Sequence, residues 1–264
     1  MTKIKGVILD WAGTAVDFGC FAPVNVFLQI FEQAKVPVTL AEAREPMGML
    51  KIDHIRAMLA MPRIAAKWQE VYGRPANHAD VKTLYTQFET QLFVSLAQYT
   101  TPIPHVLETV KLLRERGIKI GSTTGYTKEM MDIVVPNAKA KGYAPDHLVT
   151  PDDVGNQGRP YPYMIFENMR ALGLDSVKTI IKVGDTASDI QEAKNAGVYA
   201  IGVLIGSSEM GLSEEEFNAL TPSQQQHAIA STRQKFEAFG ADTTIETLAE
   251  LPAVIDLVEQ LVIH

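Results

Sequence analysis

The stretch Thr179-Ile180-Ile181-Lys182-Val183-Gly184-Asp185-Thr186-Ala187-Ser188-Asp189 decides the fold. Residues 179–183 read as a strand, and a helix runs over 188–196, with Gly184-Asp185-Thr186 as the turn between them. Outward from this unit the alternation repeats. Residues 199–205 form the next strand. Upstream, a strand at 118–124 leads into a helix starting near Thr127, then a short strand at 147–150 and a helix at 161–172. Pro104 suits a first helical residue, and Gly117 suits the C-terminal cap of that helix. Strand–helix alternation of this kind predicts an α/β fold built on a doubly wound, Rossmann-like parallel sheet. Ligands of such sheets bind at the carboxyl ends of the strands.

Two regions depart from the alternation. A first strand at 4–10 ends in Asp10 and is followed by Trp11-Ala12-Gly13-Thr14. From 21 to 99 only helical spacing recurs, as in Val24, Phe27, Leu28 and Phe31, or Val81, Leu84, Phe88 and Leu92. Pro62 and Gly73-Arg74-Pro75 punctuate that run. The expected organisation is a core domain of residues 1–20 and 100–264, with a helical domain of 21–99 inserted into it. The polar stretch 207–239 reads as surface helices, and Glu214-Glu215-Glu216 as a solvated face. Residues 243–245 suit a last strand and 252–262 a closing helix.

The 264 residues are 46% hydrophobic and 21% charged, with net charge -7, which is globular composition with length enough for a core. The acidic balance speaks against general nucleic-acid or acidic-membrane binding. A single cysteine, Cys20, excludes an intrachain disulfide framework and a cysteine-cluster metal site. The longest apolar stretch, 198–205, is far short of the roughly 20 residues that cross a bilayer. The N-terminus runs into a strand without the features of a signal peptide. The expectation is a soluble cytoplasmic protein without nucleic-acid or membrane partners.

Four strand-end or loop positions carry chemistry: Asp10, Thr124-Gly125, Gly158-Arg159-Pro160, and Asp185 with Asp189. Each alone has a plainer reading. An Asp after a strand is a common turn former, and Asp185 or Asp189 could cap a helix. Together they converge on one edge of one sheet. Carboxylates of Asp10, Asp185 and Asp189 suit a hard divalent cation such as Mg²⁺. Thr124, nearby backbone amides and the fork of Arg159 suit phosphoryl oxygens. A carboxylate beside such a cation can act as a nucleophile toward phosphorus.

Read in order, these motifs resemble the haloacid dehalogenase superfamily, and residues 21–99 then resemble its cap. One position departs. Most phosphatases of that superfamily carry a general-acid Asp two residues after the nucleophile, and Ala12 stands there. Its backbone carbonyl can still ligate a metal. On the residues alone, Lys51 and His54 read as solvated groups sharing a helix face, with Ile52, Ile55 and Leu59 facing inward. Ala12 together with Met47-Gly48, Lys51 and His54 is similar to the phosphonoacetaldehyde hydrolase family. Cys20, Thr123-Thr124-Gly125-Tyr126 and Met130-Met131-Asp132 extend the likeness.

That resemblance implies a Mg²⁺-dependent enzyme that splits a phosphorus–carbon bond in the degradation of 2-aminoethylphosphonate, releasing acetaldehyde and phosphate. It implies a Schiff base on Lys51, nucleophilic attack by Asp10 and a proton shuttle at His54. Thr124, Gly125, Arg159, Met47, Cys20 and Tyr126 would surround the small phosphonate substrate. Asp10, Ala12, Asp185 and Asp189 would hold the metal, and a homodimer joined through the caps is expected. Trp68 and Tyr72 suit packing or that contact. An ordinary lysine, with a pKa near 10.4, needs about 4 kcal/mol of help to reach about 7.5. Burial and a metal push it down, while Asp10, Asp185 and the phosphonate push it up. Two rivals stand beside this reading: a Mg²⁺-dependent phosphomonoesterase, which Ala12 disfavours, and a catalytically silent binding protein. A dehydrogenase fits poorly, because no G-x-G-x-x-G follows the first strand.

Overall fold

The computed structural model describes residues 3–261. The chain begins with β1 (Gly6–Leu9) and continues through five helices: α1 (Phe21–Gln33), α2 (Leu40–Arg44), α3 (Lys51–Ala60), α4 (Pro62–Tyr72) and α5 (His78–Ser95). Then come α6 (Val106–Glu115), β2 (Lys119–Thr123), α7 (Lys128–Ala140), β3 (His147–Val149) and α8 (Tyr163–Leu172). The last part holds β4 (Ile180–Gly184), α9 (Ala187–Ala196), β5 (Tyr199–Val203), α10 (Glu214–Ala219), α11 (Pro222–Phe239), β6 (Thr243–Ile245) and α12 (Leu251–Leu261).

The strands make one sheet in the order β3-β2-β1-β4-β5-β6, with every neighbouring pair parallel. Gly6 pairs with Lys119 on one side and with Ile180 on the other. The winding reverses between β1 and β4, so a crevice opens at their carboxyl ends. Side chains alternate across the sheet. Val7 and Leu9 join the core formed with α6, α7 and α12, whereas Ile8 joins that of α8, α9 and α11. Both faces are covered, which is why β1 and β4 read as nearly unbroken apolar runs.

Several boundaries differ from the sequence reading by a residue or two, and three of the differences have a local reason. Pro104 precedes α6 rather than opening it, because Val106 N–H bonds back to Ile103 O and His105 turns the chain at φ 72°. A turn from Gly158 to Tyr161 delays α8 to Tyr163. Thr179 belongs to a short 3₁₀ turn before β4. Nor is 207–239 purely surface: α11 buries Ile229, Thr232 and Phe236, and a Cβ at Gly202 would lie 2.3 Å from the Phe236 ring. The expected closing helix is present as α12, and Val262 lies outside the described residues.

Between Phe21 and Tyr99 every regular element is a helix, as the spacing predicts. The interior of this segment is aromatic, with the Phe27 ring stacked 4.5 Å from Phe88 and 4.0 Å from His54. Trp68 is buried and stacks on the half-exposed Tyr72. The chain enters and leaves this segment side by side. Val16 and Pro102 form an antiparallel bridge, Ile103 N–H donates to Ala15 O at 2.9 Å, and Asp17 N–H donates to Thr101 O at 3.3 Å. The cap of α1 is unusual, because the residue before it, Cys20, is left-handed and contributes no side-chain bond. Asp17 serves instead, its two oxygens accepting from Phe21 and Ala22 N–H at 3.0 Å each. No helix among the described residues is long and apolar enough to cross a membrane.

Candidate active site

The crevice between β1 and β4 gathers the residues that the sequence singles out. Asp10 follows β1 directly, and its own N–H continues the ladder to Val183 O at 3.0 Å. The chain then folds into a tight turn anchored by Trp11, which is fully buried with its ring edge-on to Tyr143. Gly13, at φ 89°, must be glycine, since a Cβ there would lie 2.0 Å from Asp185 Oδ2. Across the switch point, Thr186 caps α9, accepting from Asp189 N–H. Asp185 thus sits just ahead of the helix and Asp189 in its first turn.

Oxygens of Asp10, Asp185 and Asp189 lie within 4.8 Å of one another, and all three residues are buried. Three converging carboxylate oxygens suit a metal ion of the hard class. Two observations fit that use. Burial, then the neighbouring Asp10 and Asp189, hold the Asp185 carboxyl well above the usual carboxylate range. A cation there would reverse the effect. Asp189 Oδ1 lies 3.0 Å from Lys182 Nζ and 3.1 Å from Arg159 Nη2, yet makes a well-aligned hydrogen bond to neither. Burial alone would raise Asp189, but Arg159 and Lys182 outweigh it and bring its carboxyl below the ordinary value.

Arg159 is the hub of the buried charges. It donates to Asp10 Oδ1 at 2.6 Å, to Thr123 Oγ1 at 2.8 Å and to Glu192 Oε2 at 3.0 Å. Lys182, in the middle of β4 and fully buried, donates to Thr123 Oγ1 at 2.7 Å and lies 3.3 Å from Glu192 Oε2. The sequence reading missed Lys182, Glu192 and Thr123 as members of this network. A charged side chain inside a strand covered on both faces was the available signal. Thr124 Oγ1 accepts from Tyr126 N–H at 3.0 Å, which leaves its hydroxyl proton free to donate outward.

The helical segment closes the crevice from above. Asp10, Ala12, Cys20, Met47, Gly48, Lys51, Thr124, Gly125, Tyr126, Arg159, Asp185 and Thr186 line one cavity. The unfilled space is about 20 Å³, room for one or two water molecules. Gly125 fits so closely beneath the segment that a Cβ would lie 2.8 Å from Gly48 O and 2.7 Å from Met49 O. Arg159 Nη1 reaches Gly48 O at 3.4 Å, and Ser188 Oγ donates to Met47 O at 3.1 Å.

Lys51 is not the solvated lysine that its residue type suggests. It opens α3, is 3% exposed, and lies with Nζ 3.8 Å from Met47 Sδ and 5.3 Å from the centre of the Tyr126 ring. Burial brings its ammonium below the ordinary lysine range, and Arg159 adds to this, while Cys20, Asp10 and Asp185 oppose. Among these opposing influences of the chain itself, burial is the largest. His54 is also buried and not on a solvated face. It is not among the residues lining the cavity, and its Nε2 lies 2.9 Å from Ala43 O. That carbonyl can only accept, so Nε2 carries the proton and Nδ1 is a buried lone pair without a hydrogen-bond partner. Burial, then Lys51, keeps the imidazole well below its usual pKa and so neutral.

A switch-point crevice with carboxylates from both central strands, an arginine hub and a helical cover defines a hydrolase site of the haloacid dehalogenase type. Residues 4–197 match the haloacid dehalogenase-like hydrolases. A phosphonoacetaldehyde hydrolase of Lysinibacillus sphaericus is 64% identical over 98% of this chain and 96% of its own. A bifunctional phosphonoacetaldehyde hydrolase/aminoethylphosphonate transaminase of Clostridioides difficile is 52% identical over 97% of this chain, which spans 40% of that longer protein. The crystal structure of a phosphonoacetaldehyde hydrolase-like protein from Oleispira antarctica superposes with a TM-score of 0.94 at 39% identity, covering 97% of this chain and 93% of that one. The chain belongs to the haloacid dehalogenase-like hydrolases and, within them, to the phosphonoacetaldehyde hydrolase family.

Proposed function

We propose that this protein hydrolyses phosphonoacetaldehyde to acetaldehyde and inorganic phosphate. The observation that carries the reading is a lysine buried in the same small cavity as Asp10, with Ala12 where a general acid would otherwise stand. Expelling a carbanion directly from phosphorus is prohibitive. An iminium supplies an electron sink, and an enamine leaving group needs no acid at position 12.

The neutral Lys51 amine adds to the aldehyde carbon, and loss of water gives an iminium. An Asp10 oxygen attacks phosphorus as the phosphorus–carbon bond breaks, and that electron pair moves into the nitrogen-bound carbon chain as an enamine. Protonation at the terminal carbon and hydrolysis return acetaldehyde and the lysine amine. A second water cleaves the aspartyl-phosphate. Arg159, Thr124 and the Gly125 backbone bind phosphoryl oxygens. Met47, Cys20 and Tyr126 shape the small apolar end, and His54, buried outside the cavity lining with its Nδ1 lone pair unpartnered, takes the role of proton shuttle during imine formation. Asp10, Asp185, Asp189 and the Ala12 carbonyl would hold Mg²⁺. When bound, the ion neutralises carboxylate charge and polarises the phosphoryl group.

Residues 21–99 act as a cap domain on the core of 1–20 and 100–264, opening to admit substrate into a cavity otherwise too small. A homodimer joined through the caps is part of this reading; the half-exposed Tyr72 is free to take part in it, whereas Trp68 is buried and packs inside the segment. The fused transaminase of the C. difficile relative supports a place in 2-aminoethylphosphonate breakdown. The test is borohydride added with phosphonoacetaldehyde, followed by peptide mapping. Wild type should be inactivated and carry an N-ethyl group on Lys51. Lys51→Arg cannot form the imine and should be spared and inactive. Strong activity in Lys51→Arg, or equal inactivation of both proteins, refutes the Schiff base.

A further inference from the structure

Arg44 ends α2 and has no part in the chemistry above. Its Nη1 donates to Gly19 O at 2.7 Å, to Ser208 Oγ at 3.2 Å and to Ser208 O at 3.3 Å. The guanidinium lies 4.9 Å over the Phe21 ring. Gly211, at φ 71°, leaves it room, since a Cβ there would lie 3.2 Å from Arg44 Nε. Gly19 leads into α1 and is tied to the loop after β5 by its N–H bond to Gly206 O at 2.7 Å. Ser208 lies in that same loop, and its backbone N–H donates to Asp185 Oδ2 at 2.8 Å. One guanidinium therefore joins the helical segment, the entry into it, and the loop that holds Asp185.

We propose that Arg44 is a positioning residue: a latch that keeps the helical segment shut and, through Ser208, conveys closure to the metal-holding carboxylate. The inference rests on the reading of Asp185 as a metal ligand. Moving the segment away withdraws three hydrogen bonds from Gly19 and Ser208 at once. The loop then loses its tether, and Asp185 loses a fixed amide donor. Coupling of this kind is reciprocal, so metal binding favours the shut arrangement as strongly as shutting favours the metal. Lysine replaces only part of this, because its ammonium can offer protons to the same acceptors but lacks the planar face that lies over the Phe21 ring.

The test compares wild type, Arg44→Ala and Arg44→Lys as full-length proteins. Hydrogen exchange is followed by mass spectrometry with and without Mg²⁺, and Mg²⁺ alone is titrated by calorimetry. In Arg44→Ala, exchange across residues 17–22 and 204–211 should quicken about tenfold, and Mg²⁺ should bind about tenfold more weakly, the worth of one charge-assisted hydrogen bond. Amides of β1 should keep wild-type protection. Mg²⁺ should slow exchange at 17–22 in wild type and not in Arg44→Ala, which a merely structural arginine would not produce. Arg44→Lys should fall between, and it carries the test if Arg44→Ala loses β1 protection. Wild-type Mg²⁺ affinity in the variants, or unchanged exchange at 204–211, overturns the latch. Neither readout uses phosphonate turnover, so failure of the proposed reaction is seen separately.

Discussion

Asp17→Asn should make this protein's stability less sensitive to pH. Asp17 is 6% exposed and binds the first amides of α1. Burial pushes its carboxyl up from 3.8 to about 7, against the pull of the Ala22 and Phe21 amides, Arg44 and Lys51. The folded chain therefore holds a proton that the unfolded chain releases. Where that is so, stability falls as pH rises, here from near pH 4 to about pH 7. A gap of about three pH units corresponds to about 4 kcal/mol. That contribution is intact below pH 4 and lost above pH 7. Asparagine does not ionise, tolerates the φ of 56° at this position, and still presents one acceptor to α1. Its lost second acceptor is a constant offset of about 1 kcal/mol. Urea unfolding of both proteins at pH 4.5, 6 and 8 measures the difference. Asp17→Asn should gain on wild type steadily across that range and exceed it at pH 8. Parallel curves, or a wild type that gains on the variant as pH rises, would refute the argument.

Gly125→Ala should lower kcat/KM for phosphonoacetaldehyde by about tenfold or more, because its Cβ meets two carbonyls of the covering segment; unchanged kinetics would show that the approach is not needed. Lys182→Met leaves Asp189 and Glu192 short of a buried cation, and unfolding should show a loss of about 3–5 kcal/mol; near-native stability would remove Lys182 from the network's support. Ala12→Asp adds a carboxylate beside Asp10, and repulsion of several kcal/mol at about 4 Å should cut phosphonate cleavage roughly a hundredfold; a gain would mean that position 12 was misread. Mg²⁺ at about a hundred times its Kd should stabilise wild type by about 2.7 kcal/mol, seen as a rise in Tm that Asp185→Asn abolishes; an equal rise in both would place the ion elsewhere.

Much of the site was legible because a parallel sheet gathers strand ends. Asp10, Thr124, Arg159 and Asp185 are distant in sequence and adjacent at the switch point, and the alternation alone predicts their convergence. Lys182 escaped because a single lysine hardly disturbs an apolar strand pattern. Glu192 escaped because it reads as one more polar residue on a helix, although it lies three residues from Asp189 and so on the same face. Burial of Lys51 was beyond any local pattern, since it exists only where the helical segment meets the core. His54 shows the same limit. Spacing set it on the face of Lys51, but the Ala43 carbonyl and the Phe27 ring that hold it come from elsewhere in the chain.

The paired entry and exit of the helical segment bear on how the chain folds. β1 and β2 are neighbours in the sheet, yet Gly6 and its partner Lys119 are more than a hundred residues apart. Bringing such ends together early is costly in chain entropy and slows folding. Once Val16 and Pro102 are bridged, the chain separating the two strands shortens to roughly two dozen residues, and closing the sheet becomes easier by about 1 kcal/mol. That order of events would let the helices consolidate first and present the two strands to each other as near neighbours. It also confines length changes within 21–99 to one side of the bridge, where they leave the register of the central strands untouched.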